Sequence, residues 1–113
     1  MARDVSHVSD DMLTAIVRIQ ELTKDHDGGS LPEDWRDYWA VQRALEIISE
    51  ASRSIPAEMQ TLRSEIRWQS VRSFGNVLRH EYHDLAHDVI WNVVVDELPP
   101  LKIALLALRE GNS

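Results

Sequence analysis

Near the C terminus Trp91, Val94, Leu98, Leu101, Leu105 and Leu108 recur at steps of 3, 4, 3, 4 and 3. That spacing is the signature of one face of an α-helix. A strand, whose side chains alternate, does not present those residues together. An apolar seam of this length has to be covered, so the chain needs further helices to pack against it. Pro99 and Pro100 fall inside the seam. Proline lacks an N–H, and its ring crowds the carbonyl four residues back. The unbroken phase therefore predicts two helical pieces with a kink between them, both facing one core. Asp84 or His87 is expected to open this last segment. Asp84 is the better N-cap chemically, and Asp88 suits the first turn.

Helical spacing governs the rest of the chain as well. Ser9 is a candidate N-cap, with Asp10 and Asp11 behind it in the first turn, and Val8, Met12, Ile16, Ile19 and Leu22 mark the buried side. "DHDGGS" (25–30) supplies the glycines that end such a helix. Ser30 and Glu33 have capping-box spacing around Pro32, and Trp35, Tyr38, Val41, Leu45, Ile48 and Ser52 follow at steps of three and four. "SIP" (54–56) breaks this second helix, and a short one is expected over about 57–64. A third main helix is predicted from Trp68 to Tyr82, with Val71, Phe74, Leu78 and Tyr82 as its narrow apolar stripe. Gly75 inside it costs about 1 kcal/mol relative to Ala and marks a place where another backbone comes close. The four tryptophans, Trp35, Trp39, Trp68 and Trp91, are expected mostly as core or interface filler.

No alternating β pattern, repeat or low-complexity stretch interrupts this reading. The expected fold is all-α, an antiparallel bundle of four to five helices, as a single domain over residues 1–113. Hydrophobic residues at 43% and charged residues at 27% suit a soluble globule. The absence of cysteine excludes disulfides and thiolate metal sites, so a metal would need His, Asp or Glu. No apolar run approaches the roughly 20 residues of a membrane span, and no N-terminal stretch resembles a signal peptide. No membrane association is expected, and the cytoplasm is the default location.

A net charge of −7 argues against indiscriminate nucleic-acid binding. Yet "IRWQSVRSFGNVLRH" (66–80) holds Arg67, Arg72 and Arg79 and no acid, a basic island in an acidic chain. It runs into "RHEYHDLAHD" (79–88), which holds three of the five histidines. On one continuous helix His80, His83 and His87 would share about 60° of arc. Three histidines on so short a stretch do not surround a tetrahedral ion unaided, and the other two, His7 and His26, stand near ends or loops. A second grouping is Arg72, Asn76 and His80, spaced by four and sharing about 80° of arc on one helix. Histidine moves protons near neutral pH, and arginine neutralises charge that builds on a phosphate. This set fits metal-free phosphodiester cleavage, in which the 2′-hydroxyl of RNA serves as nucleophile. On residue types alone, a His, Arg and Tyr on one helix are more often structural than catalytic.

"ALEIISEASRSIP" (44–56), "IRWQSVRSFGNVLRHEY" (66–82) and "VIWNVVVDELPPL" (89–101) resemble the HepT-like branch of the HEPN domain family. The most telling motif is an asparagine followed by H-x-Y, here Asn76 and then His80-Glu81-Tyr82. The resemblance implies a small helical bundle that forms a symmetric homodimer, with an active site in the cleft between protomers. It implies a metal-independent endoribonuclease toxin that acts on RNA without a cofactor. Its implied partner is a minimal nucleotidyltransferase antitoxin of the MntA type, which blocks the nuclease by transferring AMP to the motif tyrosine. Residue by residue, His80 is then the proton-transfer group, Asn76 a polar neighbour that orients the site, and Tyr82 the AMPylation site. Arg67 and Arg79 are RNA-binding candidates.

The family usually carries an arginine directly before the asparagine, and here that position is Gly75. Arg72 is the preferred substitute because it shares the stripe with Asn76 and His80. Arg79 lies about 100° away from His80 on the helix. His83 and His87 have no role that the resemblance assigns. Two other readings stay open: a non-catalytic helical partner of a nucleotidyltransferase with a decayed nuclease site, and a His-rich metal-binding bundle.

Overall fold

The computed structural model describes residues 6–24, 31–80 and 83–110, with residues 6, 76–80 and 83–87 described by backbone alone. Six α-helices account for most of them: α1 (Ser6–Thr23), α2 (Trp35–Ser52), α3 (Ala57–Leu62), α4 (Trp68–His80), α5 (His83–Asn92) and α6 (Leu98–Arg109). A single π-helical turn, Val93–Glu97, joins α5 to α6, and no strand occurs among the described residues. No described helix is long and apolar enough to cross a membrane. The all-α expectation holds.

The kink expected at Pro99 and Pro100 takes the form of that π turn. The prolines stand at the start of α6 and leave the carbonyls of Val95 and Asp96 without their usual donors. The backbone widens just before them, and the Leu98 N–H donates to the Val93 carbonyl, five residues back. Val95 and Asp96 lie on the exposed side of the turn. The seam survives: Leu98, Leu101 and Leu105 are fully buried, and Val94 and Leu108 nearly so. Because Leu101 lies at the centre of this seam, Leu101→Ala is expected to cost about 2–5 kcal/mol of stability. Chemical denaturation, read by circular dichroism, measures that loss directly.

The helix starts differ from their sequence signals. Ser9 is not an N-cap: it lies inside α1, fully buried, on the face formed with Met12, Ile16, Ile19 and Thr23. Core packing draws that face one turn further toward the N terminus than the capping signal indicates. The Ser9 hydroxyl has no hydrogen-bond partner among the described residues. Asp10 turns to α6 instead and pairs with Arg109 at 3.2 Å. The N-cap of α2 is Asp34, whose carboxylate accepts from the Arg36 N–H at 2.8 Å, so the helix opens at Trp35. Pro32 precedes the helix rather than standing in its first turn, because Leu31 is buried and takes that segment into the core. Ser30 and the predicted "DHDGGS" stop lie outside the described residues except for the end of α1 itself. Asp84 lies within α5, not at its cap. Residues 81–82, next to the break expected near that point, lie outside the described residues.

In the bundle α2 packs against both α1 and α4, and α1 also packs against α6. Lys102 Nζ donates to Gln20 Oε1 at 3.3 Å, and the Asp10–Arg109 pair lies toward the opposite ends of the same two helices. These two ties make α1 and α6 antiparallel. Ser70 Oγ donates to Glu97 Oε1 at 2.8 Å and fastens α4 to the π turn. The tryptophans divide. Trp68 is buried and Trp91 packs at the edge of the core, but Trp35 and Trp39 are 61% and 62% exposed. They stand on the outer side of α2, away from Val41, Ala44, Leu45 and Ile48, so they are not core filler.

Candidate functional site

The helix that carries the motif is held firmly at its beginning. The Trp68 indole N–H donates to the carbonyls of Gln60 and Arg63 at 3.2 and 3.1 Å, closing the C-terminal end of α3 against α4. Val71 and Phe74 are buried. Ser49 Oγ of α2 donates to the Arg72 carbonyl at 2.6 Å. That bond spans 23 residues of sequence and brings the two helices close together at the turn before Gly75. Gly75 is itself buried, so the neighbour expected at this glycine is α2 of the same chain.

Asn76, Arg79 and His80 lie on the last turn of α4, and His83 and His87 on the first two turns of α5. Their side chains, and Glu81 and Tyr82 altogether, lie outside the described residues. Along α4, Arg72 stands eight residues before His80, about 12 Å by helical rise. The Arg72 guanidinium donates through Nη1 to Gln60 Oε1 at 3.1 Å, and Gln60 Nε2 donates on to the Ile55 carbonyl at 3.0 Å. Arg72 is thus engaged with α3, near the start of α4. Helical side chains tilt toward the N terminus, which carries this guanidinium away from His80 in the same chain. Arg67 is exposed, beside Gln69 and Ser73, and stands about 20 Å of helical rise before His80. One protomer does not bring Arg67 to the histidine. Among the described residues, no group of three His, Asp or Glu side chains is placed to hold a metal ion.

The structure also shows a cavity that the sequence did not single out. It has a volume of about 530 Å³ and is bounded by Gly75 of α4 together with Arg43, Glu46, Ser49, Glu50 and Arg53 along α2. Arg43 and Arg53 form no ion pair among the described residues, whereas Arg36, Arg63 and Arg109 each meet a carboxylate. A signal for this surface was present. Arg43, Glu46, Glu50 and Arg53 recur at steps of 3, 4 and 3, on the side of α2 opposite its apolar residues. An arginine at position 75 would enter a space already bordered by two glutamates. With glycine there, the space stays open, and its charges come from Arg43, Glu46 and Glu50 of α2, Arg53 just after it and Asp11 of α1.

The cavity and the motif helix stand side by side in a helical bundle with no strand among its described residues. Residues 12–108 match the family model described as Ribonuclease HepT-like, and the chain belongs to that family. A protein of Thermococcus cleftensis named "Probable ribonuclease HepT" is 34% identical over 110 residues, covering 97% of this chain and 100% of its own length. A Methanocaldococcus jannaschii protein named "Putative RNase MJ1380" is 32% identical over 100 residues, covering 88% of this chain and 92% of its own. No solved structure matches the chain significantly.

Proposed function

We propose that this protein is a metal-independent endoribonuclease that cleaves RNA by attack of the 2′-hydroxyl on the adjacent phosphate. The observation that carries this reading is the family match over residues 12–108, which spans Asn76, His80 and Tyr82 in their motif spacing. In the reaction the bond from the 2′-oxygen to phosphorus forms as the bond to the 5′-oxygen breaks. The 2′-hydroxyl loses a proton and the leaving oxygen gains one, and His80 serves one of these transfers. Asn76 orients the reacting groups. Arg79 offsets charge on the phosphate, Arg72 does so by reaching in from the other protomer of a dimer, and Arg67 contacts RNA further along the strand. Two protomers in a symmetric dimer would bring two acid-free islands to one cleft, which reconciles a local basic site with an acidic chain. Incubation of the purified protein with RNA tests the reading. Cleavage that persists undiminished in chelator, and is lost in His80→Ala, is the expected result.

The biological setting we propose is a toxin–antitoxin pair. A nucleotidyltransferase partner would transfer AMP to the Tyr82 hydroxyl, releasing pyrophosphate from ATP and blocking the cleft. Intact-mass measurement after co-production with such a partner should show an added AMP on the wild type and none on Tyr82→Phe. AMP mapped to another residue would count against this assignment.

A second reading has a specific observation in its favour. Gly75 leaves an open cavity where the family places its arginine, and Arg72 is engaged with Gln60. On that reading the chain is a helical binding partner of the nucleotidyltransferase without nuclease activity. Wild-type protein that cleaves no RNA while still binding its partner would favour it.

A further inference from the structure

Two exposed tryptophans on a charged protein are costly to keep without a use, and here they are arranged. Trp35 and Trp39 are adjacent on the outer face of α2, with ring centroids 5.0 Å apart and planes at 74°. The Arg36 guanidinium lies over Trp35 at 6.0 Å from the ring centroid. Asp34 holds that guanidinium from the other side, with contacts of 3.2 and 3.4 Å to Nη2 and Nε. The same bonds to Arg36 keep the Asp34 carboxyl below the ordinary carboxylate range. The result is a braced aromatic surface rather than two loose rings.

We infer that Trp35 and Trp39 form a base-stacking platform for single-stranded RNA, with Arg43 as the phosphate contact next to it. This rests on the ribonuclease reading, which supplies the RNA. Every nucleobase offers a flat π face, and stacking on an exposed indole is worth about 1–3 kcal/mol per base whatever the sequence. Arg43 stands one helical turn, about 6 Å, beyond Trp39 on the same side of α2. Its guanidinium has no ion pair among the described residues, and it borders the cavity at Gly75 of the motif helix. The acids nearby limit the site to this end of α2. Asp34 is neutralised by Arg36, and Asp37 lies about 160° around the helix from Trp39. Glu46 and Glu50 lie beyond Arg43, and Asp11 of α1 borders the same cavity; all three would repel a phosphate placed over them.

The test uses full-length protein and an uncleavable probe, a single-stranded oligonucleotide with 2′-O-methyl groups throughout. Tryptophan emission should be quenched as the probe binds, and anisotropy of a labelled probe should give the affinity. Trp35→Ala/Trp39→Ala should weaken binding about tenfold to a hundredfold and remove most of the quenching. Trp35→Phe/Trp39→Phe should recover part of the affinity, because a smaller ring still stacks. Both tryptophans are exposed, so circular dichroism and the unfolding midpoint should stay near wild type, and Arg43→Gln should weaken binding with less effect on quenching. Unchanged affinity and quenching in the double alanine variant overturns the platform. If that variant instead changes the oligomer in sedimentation while RNA affinity holds, the tryptophans are a protein interface and the inference is overturned. If wild type cleaves RNA but the double alanine variant cleaves and binds equally well, the platform alone fails. If wild type neither cleaves nor binds RNA, the ribonuclease reading fails with it.

Discussion

His80→Ala is expected to lower RNA cleavage by about 10²–10⁴-fold, the usual contribution of a positioned general acid or base. The histidine lies at the end of α4, where the helix is already set by the buried Val71 and Phe74 and by the Trp68 and Ser49 hydrogen bonds. Removing an imidazole from the last turn leaves those anchors intact, so fold and melting temperature should change little. The loss should therefore appear in kcat more than in KM. A pH–rate profile adds a second readout. A group that titrates near neutrality should shape the wild-type profile, and the alanine variant should lose that inflection. Wild-type rates in His80→Ala, measured on homogeneous protein with a defined RNA, would remove the histidine from the mechanism.

Gly75→Arg should raise cleavage, by about tenfold to a hundredfold. The cavity of about 530 Å³ beside Gly75 gives the new side chain room. The position is also where the family carries its arginine, one residue before Asn76. A preorganised donor aimed at a phosphate is worth this much or more when it acts on charge that develops in the transition state. Gly75 is buried, so the comparison needs the unfolding midpoint of the variant alongside its kcat. A well-folded Gly75→Arg protein with no gain in kcat would mean that the existing arginines already meet the need, or that cleavage is not the function. Combining it with Arg72→Gln separates these. If Arg72 serves the phosphate, its loss should be rescued by arginine at 75. If Arg72 serves only Gln60 and α3, its loss should lower stability and leave kcat unchanged.

Much of this was readable along the chain. A period of 3.5 to 3.6 is a local property, so the seam from Trp91 to Leu108, the stripe of α1 and the body of α2 could be assigned without knowing what covers them. The motif helix and the place of Asn76 and His80 on it followed in the same way, and so did the resemblance to the HepT-like family. Proline chemistry foretold the interruption at Pro99 and Pro100, though not that a π turn would absorb it. Capping signals were less dependable. Ser9 has the chemistry of an N-cap, but its spacing to Met12 and Ile16 gave it an equal claim to the core, and burial decided between them.

Contacts between residues far apart in sequence were decided by packing alone. Periodicity shows which side chains share a face and says nothing of what stands opposite. That Arg72 reaches Gln60, that Ser49 meets the Arg72 carbonyl, and that α1 and α2 bring charges beside Gly75 all depend on how α1, α2, α3 and α4 come together. Trp35 and Trp39 make the same point. Their large apolar area favours burial, and their spacing is as compatible with the core as with the surface. The core side of α2 is filled by Val41, Ala44, Leu45 and Ile48, so the two rings are left in solvent, where a partner can reach them.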